Sequence, residues 1–464
     1  MSLVKISVFI AAALCGTFNG RTQDNVVAAV ATFYGTNGGS PYASLTLGND
    51  GNFYGTTSQG GPAGAGTIFE LDTNNTLLPL ASFAGTNGSF PPAALLQSTN
   101  GNFYGVTYLG GIYGQGTIFE FTTNHNLLSL FSFGGTNGSL PWGGLIQASN
   151  GNFYGTTSFG GPGFSNGFGG NGTIFMMSPS GVFSNLYSFS GGNDGATPYG
   201  TLVQGTNGNL YGTTFAGGSN NAGVVFEWML DPSINRFLVF YGANGSGPGA
   251  GLVLGCDGYL YGTTAAGGPR NAGTFFRLDY DGIPTTLHYF TESGSDGGAP
   301  YGPLLRSGRD FYGTTYGGGL YGEGIIYRVS QTTNPTPRFE SLYSFRGAVD
   351  GGSPESGLTA DARGNLFGTT TASGTAEGTA YEVINLPYLS HTSLVNGIFS
   401  ATCRDAQPGL VYQARYSFTF NPGTWYDWGP PITANSNRFV FSGAAFASAG
   451  FLHVEVLPPG PVAP

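Results

Sequence analysis

Four aromatic rings and a handful of charges are the groups of this chain whose type and place suit chemistry. They stand where a repeated phrase is broken. The residue after a recurring strand-opening proline is aromatic at Tyr42, Trp142, Tyr199 and Tyr301; in the remaining copies it is Pro92, Gly249 and Glu355. Flat amphipathic rings beside neutral Asn and Ser donors suit sugar faces, provided they line the mouth of one channel. The same rings could instead pack between elements, because Tyr and Trp are common in cores. A long insertion, residues 162–171, adds Phe164 and Phe168. Arg270, Glu323, Glu355 and Glu377 complete the candidate ligand-binding set, on segments that read as loops.

Catalysis would ask for more. Glu355 and Glu377 form a lyase- or hydrolase-like pair only if the fold brings them within about 10 Å, as glycosidase geometry requires. No histidine, paired carboxylate or nucleophile motif unites the charged candidates, so no residue is given a catalytic role. Arg306 and Arg309 fall at a hairpin on the opposite side. Glu70, Glu120, Glu227 and Glu382 share a column with Met176, Arg277 and Arg328. Such a mixture fits an outer, solvated surface, where charge pairs contribute little.

Metal and cofactor chemistry is not expected. His125, His288, His391 and His453 are scattered, with no ligand spacing. Asp194, Asp296 and Asp350 sit in Asx-Gly turns without the Asp-x-Asp spacing of a calcium loop. Cys256 and Cys403 make neither a disulfide framework nor a metal site.

The elements that must position these groups are repeated. Asn/Asp-Gly-x-x-Pro-x-x-x-Leu is followed about a dozen residues later by Phe/Leu-Tyr/Phe-Gly-x-Thr. The aromatic of that core recurs at Tyr54, Tyr104, Tyr154, Tyr211, Tyr261, Tyr312 and Phe367, in steps of 50, 50, 57, 50, 51 and 55 residues. A period near 50 means one supersecondary unit, repeated. In the first unit, residues 44–48, 52–58, 66–71 and 77–83 read as short strands, with Asn49-Asp50-Gly51 as a tight hairpin signal. Four antiparallel strands per period predict a propeller blade. The Gly after the core aromatic and the second Thr beyond it never vary, which marks packing; a catalytic group is needed only once.

The expected fold is therefore all-β. A seven-bladed propeller spans residues 26–385 and a β-sandwich-like module with an untethered tail spans 386–464. Residues 26–34 resemble the fourth strand of the other units, and the last unit has only three strands. The N-terminal strand should complete the seventh blade and close the ring, which removes two open sheet edges. In the C-terminal part, alternating stretches such as residues 410–416, 438–441 and 451–456 read as strands, with Trp425 and Trp428 for a core.

The phrase Asp/Asn-Gly-Asn-Phe/Leu-Tyr-Gly-Thr-Thr, repeated with Gly-Thr-Ile-Phe-Glu, resembles the GloVer-type tandem repeat of exported bacterial proteins over about 360 residues. The resemblance implies export and, in many members, a surface anchor; it implies no defined activity. No apolar segment or sorting motif follows the C-terminal module, so free secretion is as well supported as tethering.

Composition narrows the possible partners. Charged residues make up 8% of the chain, against roughly 25% in ordinary soluble domains. Only 14 Lys and Arg face 24 Asp and Glu, with no basic run, so nucleic acid is not an expected partner. Lys5 and the apolar run 6–15 fit a signal peptide within residues 1–25; the run is too short to span a bilayer. The reading is an extracellular binding or surface-interaction protein whose partner is a polysaccharide or a cell-surface component. The alternatives are a secreted carbohydrate-active enzyme and a purely structural envelope protein.

Overall fold

The computed structural model describes residues 10–11, 26–165, 169–229, 233–278, 284–331, 337–347, 350–362, 364–371, 376–384, 388–395, 398–404, 411–417, 426–427, 432–433, 438–444 and 451–456. Two compact units divide the chain: Val27–Val383, and the N-terminal residues together with Ile384–Pro464.

The larger unit is a seven-bladed β-propeller. Each blade is a four-stranded antiparallel meander, as in Thr46–Leu47, Phe53–Thr57, Thr67–Leu71 and Leu77–Ser82. The seventh sheet runs Val26–Thr32, Thr379–Ile384, Leu366–Thr370, Thr359–Ala360, so the N-terminal strand is the outer strand of the last blade. The ring closes through antiparallel pairing.

Strand alternation explains where the core lies. Along the second strand of blade one, Phe53 packs back toward blade seven and Tyr54 forward onto blade two, its ring 4.4 Å from that of Phe103. The equivalent contacts Tyr104–Phe153, Tyr261–Phe311 and Phe53–Phe367 lie at 4.3–4.5 Å. The result is one apolar cluster at each of the seven blade interfaces rather than a single central core.

The invariant columns are structural. A methyl group on Gly55 would overlap the ring of Phe69, its partner across the third strand, and meet Leu45 at 3.0 Å. The packing that the invariant glycine marks is therefore inside one blade. Thr57 Oγ1 lies 2.8 Å from Thr67 Oγ1 and donates to the Gln59 carbonyl. Preceding threonines bridge blades, as Thr213 does to the Ala250 carbonyl at 3.0 Å. The outer carboxylates hydrogen-bond within their own blades: Glu120 accepts from Asn102 and from the Tyr104 hydroxyl. Arg328 pairs with Glu340 at 2.6 Å.

The second unit contains two antiparallel sheets. Tyr388–Val395, Ile398–Arg404 and Arg438–Ala444 form one. In the other, Val411–Ser417 pairs with Phe451–Val456 and with two short strands, and Phe451–Val456 also pairs with Ile10–Ala11. Trp425 and Trp428 lie outside the described residues. Among the described residues no helix is long and apolar enough to cross a membrane.

Candidate functional site

The site begins with a backbone device present in every blade. The residue before the strand-opening proline has a left-handed φ of 50–62°: Ser40, Phe90, Leu140, Thr197, Gly247, Ala299 and Ser353. Six of these are not glycine, and such a conformation costs roughly 1–2 kcal/mol for an L-residue. Two hydrogen bonds hold it in place. The Phe90 N–H donates to the Ala65 carbonyl of the preceding blade at 3.0 Å, and the Phe90 carbonyl accepts from the Tyr108 N–H at 2.9 Å. Equivalent N–H donations recur at all seven positions. The proline ring then seats on a glycine of the preceding blade: a Cβ on Gly116 would lie 2.7 Å from Pro141 Cδ.

The turn repeats in every blade, so the residue that follows it is presented at an equivalent place each time. Tyr42, Pro92, Trp142, Tyr199, Gly249, Tyr301 and Glu355, one residue from each blade, all line a single cavity of about 640 Å³. That arrangement places the cavity on the propeller axis, on the face where the loops after the second strand project. Its floor is built of small residues, among them Ala43, Ala93, Gly143, Gly200 and Ala250.

The rings form two groups. Trp142 lies at the centre of the larger one, 5.6 Å from Tyr199, 5.3 Å from Tyr108 and 6.4 Å from Tyr42, with Phe90 bridging. Tyr199 continues to Phe215 at 5.3 Å. Across blade five, where Gly249 offers no side chain, Tyr301 and Tyr316 make an edge-on pair at 6.0 Å, each about 40% exposed. Among the described residues Glu355 is the one carboxylate of the lining, and no Lys, Arg or His accompanies it there. Among the described residues, no hydrogen bond or ion pair to its carboxylate is present. Burial pushes its pKa up to about 7. Burial also raises the phenols of Tyr42 and Tyr301, and the Glu355 charge adds to the shift.

The same repeat is diagnostic at the level of sequence families. The Gloeobacter/Verrucomicrobia repeat matches residues 13–169 and 164–381, most of the chain. This protein belongs to that repeat family. No curated protein matches the sequence of this repeat protein. Solved structures share its fold at low identity. A lectin, BP39L from Burkholderia pseudomallei, superposes with a TM-score of 0.51 at 10% identity, covering 74% of this chain and 98% of the lectin. An ulvan lyase of polysaccharide lyase family PL25, bound to -[GlcA(1-4)Rha3S]-, gives 0.50 at 11%, covering 77% and 96%. An ancestral GH74 enzyme gives 0.52 at 13%, covering 76% of this chain and 48% of its own. At these identities the likeness is one of fold.

The fold of this repeat protein separates the sequence candidates. Tyr42, Trp142, Tyr199, Tyr301 and Glu355 come together in the axial cavity. Glu323 and Glu377 do not line it; they occupy blade-to-blade turns, their carboxylates against Gly347 and Gly352, and against Gly35 and Gly39. The Glu355–Glu377 pair is therefore not assembled in the cavity. Phe164 packs onto the Gly135 turn, Arg270 is exposed on a loop, and Phe168 lies outside the described residues. Arg306 and Arg309 are exposed at the hairpin between the first two strands of blade six. Phe215 and Tyr316 were missed. They immediately follow the invariant threonine, a column that is aromatic at Tyr108, Phe215 and Tyr316 and small elsewhere; that variation was the available signal.

Proposed function

We propose that this repeat protein is an exported glycan-binding module whose site is the axial cavity. One observation carries the reading: seven equivalent post-proline side chains converge on one cavity, and four of them are Tyr or Trp. The volume lies within the range of small-molecule sites, about 300–1,000 Å³. Neutral rings over a floor of Gly and Ala present flat apolar surface with backbone and hydroxyl groups at its edge, which suits the alternating faces and hydroxyls of a sugar chain. No Lys, Arg or His is among the described lining residues, which disfavours a sulfated or uronate polymer, whose charge would be desolvated without a partner. Propellers with lectin and polysaccharide-lyase activities are compatible scaffolds, as the solved structures illustrate.

An enzymatic reading would rest on Glu355 alone. Glycosidase chemistry uses two carboxylates flanking the bond, and the lining supplies one. Binding is the better-supported function.

Affinity electrophoresis against a panel of soluble polysaccharides tests it. Wild type should be retarded by at least one, and Trp142→Ala with Tyr199→Ala should weaken retention by roughly 2 kcal/mol per ring, or about 30-fold each. Undiminished retention of the double variant would overturn the reading.

A further inference from the structure

Glu355 has no counterpart in the other six blades, where the same place holds Tyr, Pro, Trp or Gly. Its carboxylate enters the cavity between blades six and one without a hydrogen bond or ion pair among the described residues. The titratable groups facing it are the phenols of Tyr42 and Tyr301, which feel its charge, and Tyr316 beside them. Among the described residues no Lys, Arg or His lines the cavity. A half-buried carboxylate with no partner among the described residues is poorly solvated. A bound ammonium would supply the missing charge, and neighbouring tyrosine rings favour a cation through their quadrupoles. The −10 balance of the chain attracts cations from solution.

We infer that the cavity selects an amino sugar, its protonated amine seated between the Glu355 carboxylate and the rings of Tyr42 and Tyr301 while the sugar ring lies against Trp142 and Tyr199. This rests on the glycan reading and narrows it. Seating the amine stabilises the ionised carboxylate, which otherwise titrates near pH 7. Binding at pH 6 should therefore release a proton, and affinity should rise by roughly tenfold or more between pH 5 and pH 7.

Calorimetry with three tetramers tests the inference: a β-1,4-linked glucosamine tetramer, its N-acetylated form and cellotetraose. Wild type is expected to bind the free amine at least tenfold more tightly than the other two, with a buffer-dependent heat at pH 6. Glu355→Gln should fold, because it removes a poorly solvated charge; melting curves check this. It should lose both the preference and the proton release, whereas Trp142→Ala should weaken all three ligands alike. Equal binding of the three tetramers, or an amine preference that survives in Glu355→Gln, would overturn the amine seat and leave the glycan site standing. An amine preference indifferent to Trp142→Ala would overturn the glycan shelf and leave the amine seat. No binding of any tetramer, with a negative polysaccharide panel, would overturn both.

Discussion

Glu355 concentrates the energetics of the site in one side chain. Its folded-state pKa, about 7, lies above the ordinary 4.5, so the folded protein binds its proton more tightly than the unfolded chain does. The stability it permits is full below about pH 4.5 and falls as pH rises toward 7. Glu355→Gln should therefore match wild type near pH 4.5 and exceed it at pH 8 by roughly 1–2 kcal/mol, allowing for partial solvation. Denaturant titrations at the two pH values check the sign, and a variant less stable at pH 8 would contradict it. A second residue-scale test lies at Tyr327 and Tyr381. Five blades carry Phe at this place, and here the buried hydroxyls find no partner among the described residues. Tyr327→Phe should be neutral or stabilising, by up to about 1 kcal/mol; a clear loss on thermal unfolding would show that the hydroxyl is satisfied. At this scale the sequence showed where side chains differ from blade to blade, which is why the post-proline column was readable. Solvation was not: nothing in the order of residues reveals that Glu355 has no partner among the described residues while Glu323 and Glu377 lie against glycine turns.

The element that aims these side chains is the turn into each first strand: a left-handed residue, a proline, then the lining residue. Asn/Asp-Gly and Pro made the turn legible, and the short strands followed from their spacing. The left-handed conformation of Phe90 or Leu140 was not, because a bulky residue there is held by a carbonyl about 25 positions earlier, in the preceding blade. The place of the insertion in the third unit was not legible either. Its Phe164 lies against the turn at Gly135 and is not among the residues that line the cavity. The turn geometry itself can be tested at Gly116, whose φ is +95° and whose added Cβ would overlap the Thr107 carbonyl and press on Pro141. Gly116→Ala should cost roughly 2–4 kcal/mol and should displace Trp142, weakening glycan retention in protein that remains folded. Gly151, also left-handed at +82° but facing open space, is the control. Gly151→Ala should cost about 1 kcal/mol and leave binding unchanged; equal effects of the two substitutions would remove the argument that the seated proline aims the ring.

At the scale of the whole molecule, the site and the closure of the ring are one problem. Glu355 belongs to blade seven and Tyr42 to blade one, so the proposed amine seat straddles the seam at which the propeller's first strand pairs into its last blade. That seam is held by the strand Val26–Thr32 against Thr379–Ile384, by the paired backbone bonds of Phe33 with Glu377 and Gly378, and by the Thr369 hydroxyl on the Pro41 and Ala43 carbonyls at 2.9 and 3.2 Å. Phe33, Phe53 and Phe367 fill the apolar side of the same interface. Removing residues 26–35 takes away the outer strand and Phe33 together. It leaves Thr379–Ile384 with an unpaired edge, open to pairing with another chain. The truncated protein should lose its single cooperative melting transition and tend to self-associate. Any folded fraction should bind glycans through Trp142 and Tyr199 but without amine preference, because Tyr42 is no longer fixed opposite Glu355. Thermal stability equal to the full chain would mean that the other six interfaces hold the ring without the seam. Thr369→Val, which deletes only the hydroxyl that bridges the seam, offers the milder version: a loss of about 1–2 kcal/mol in stability, with the amine preference reduced ahead of overall glycan affinity.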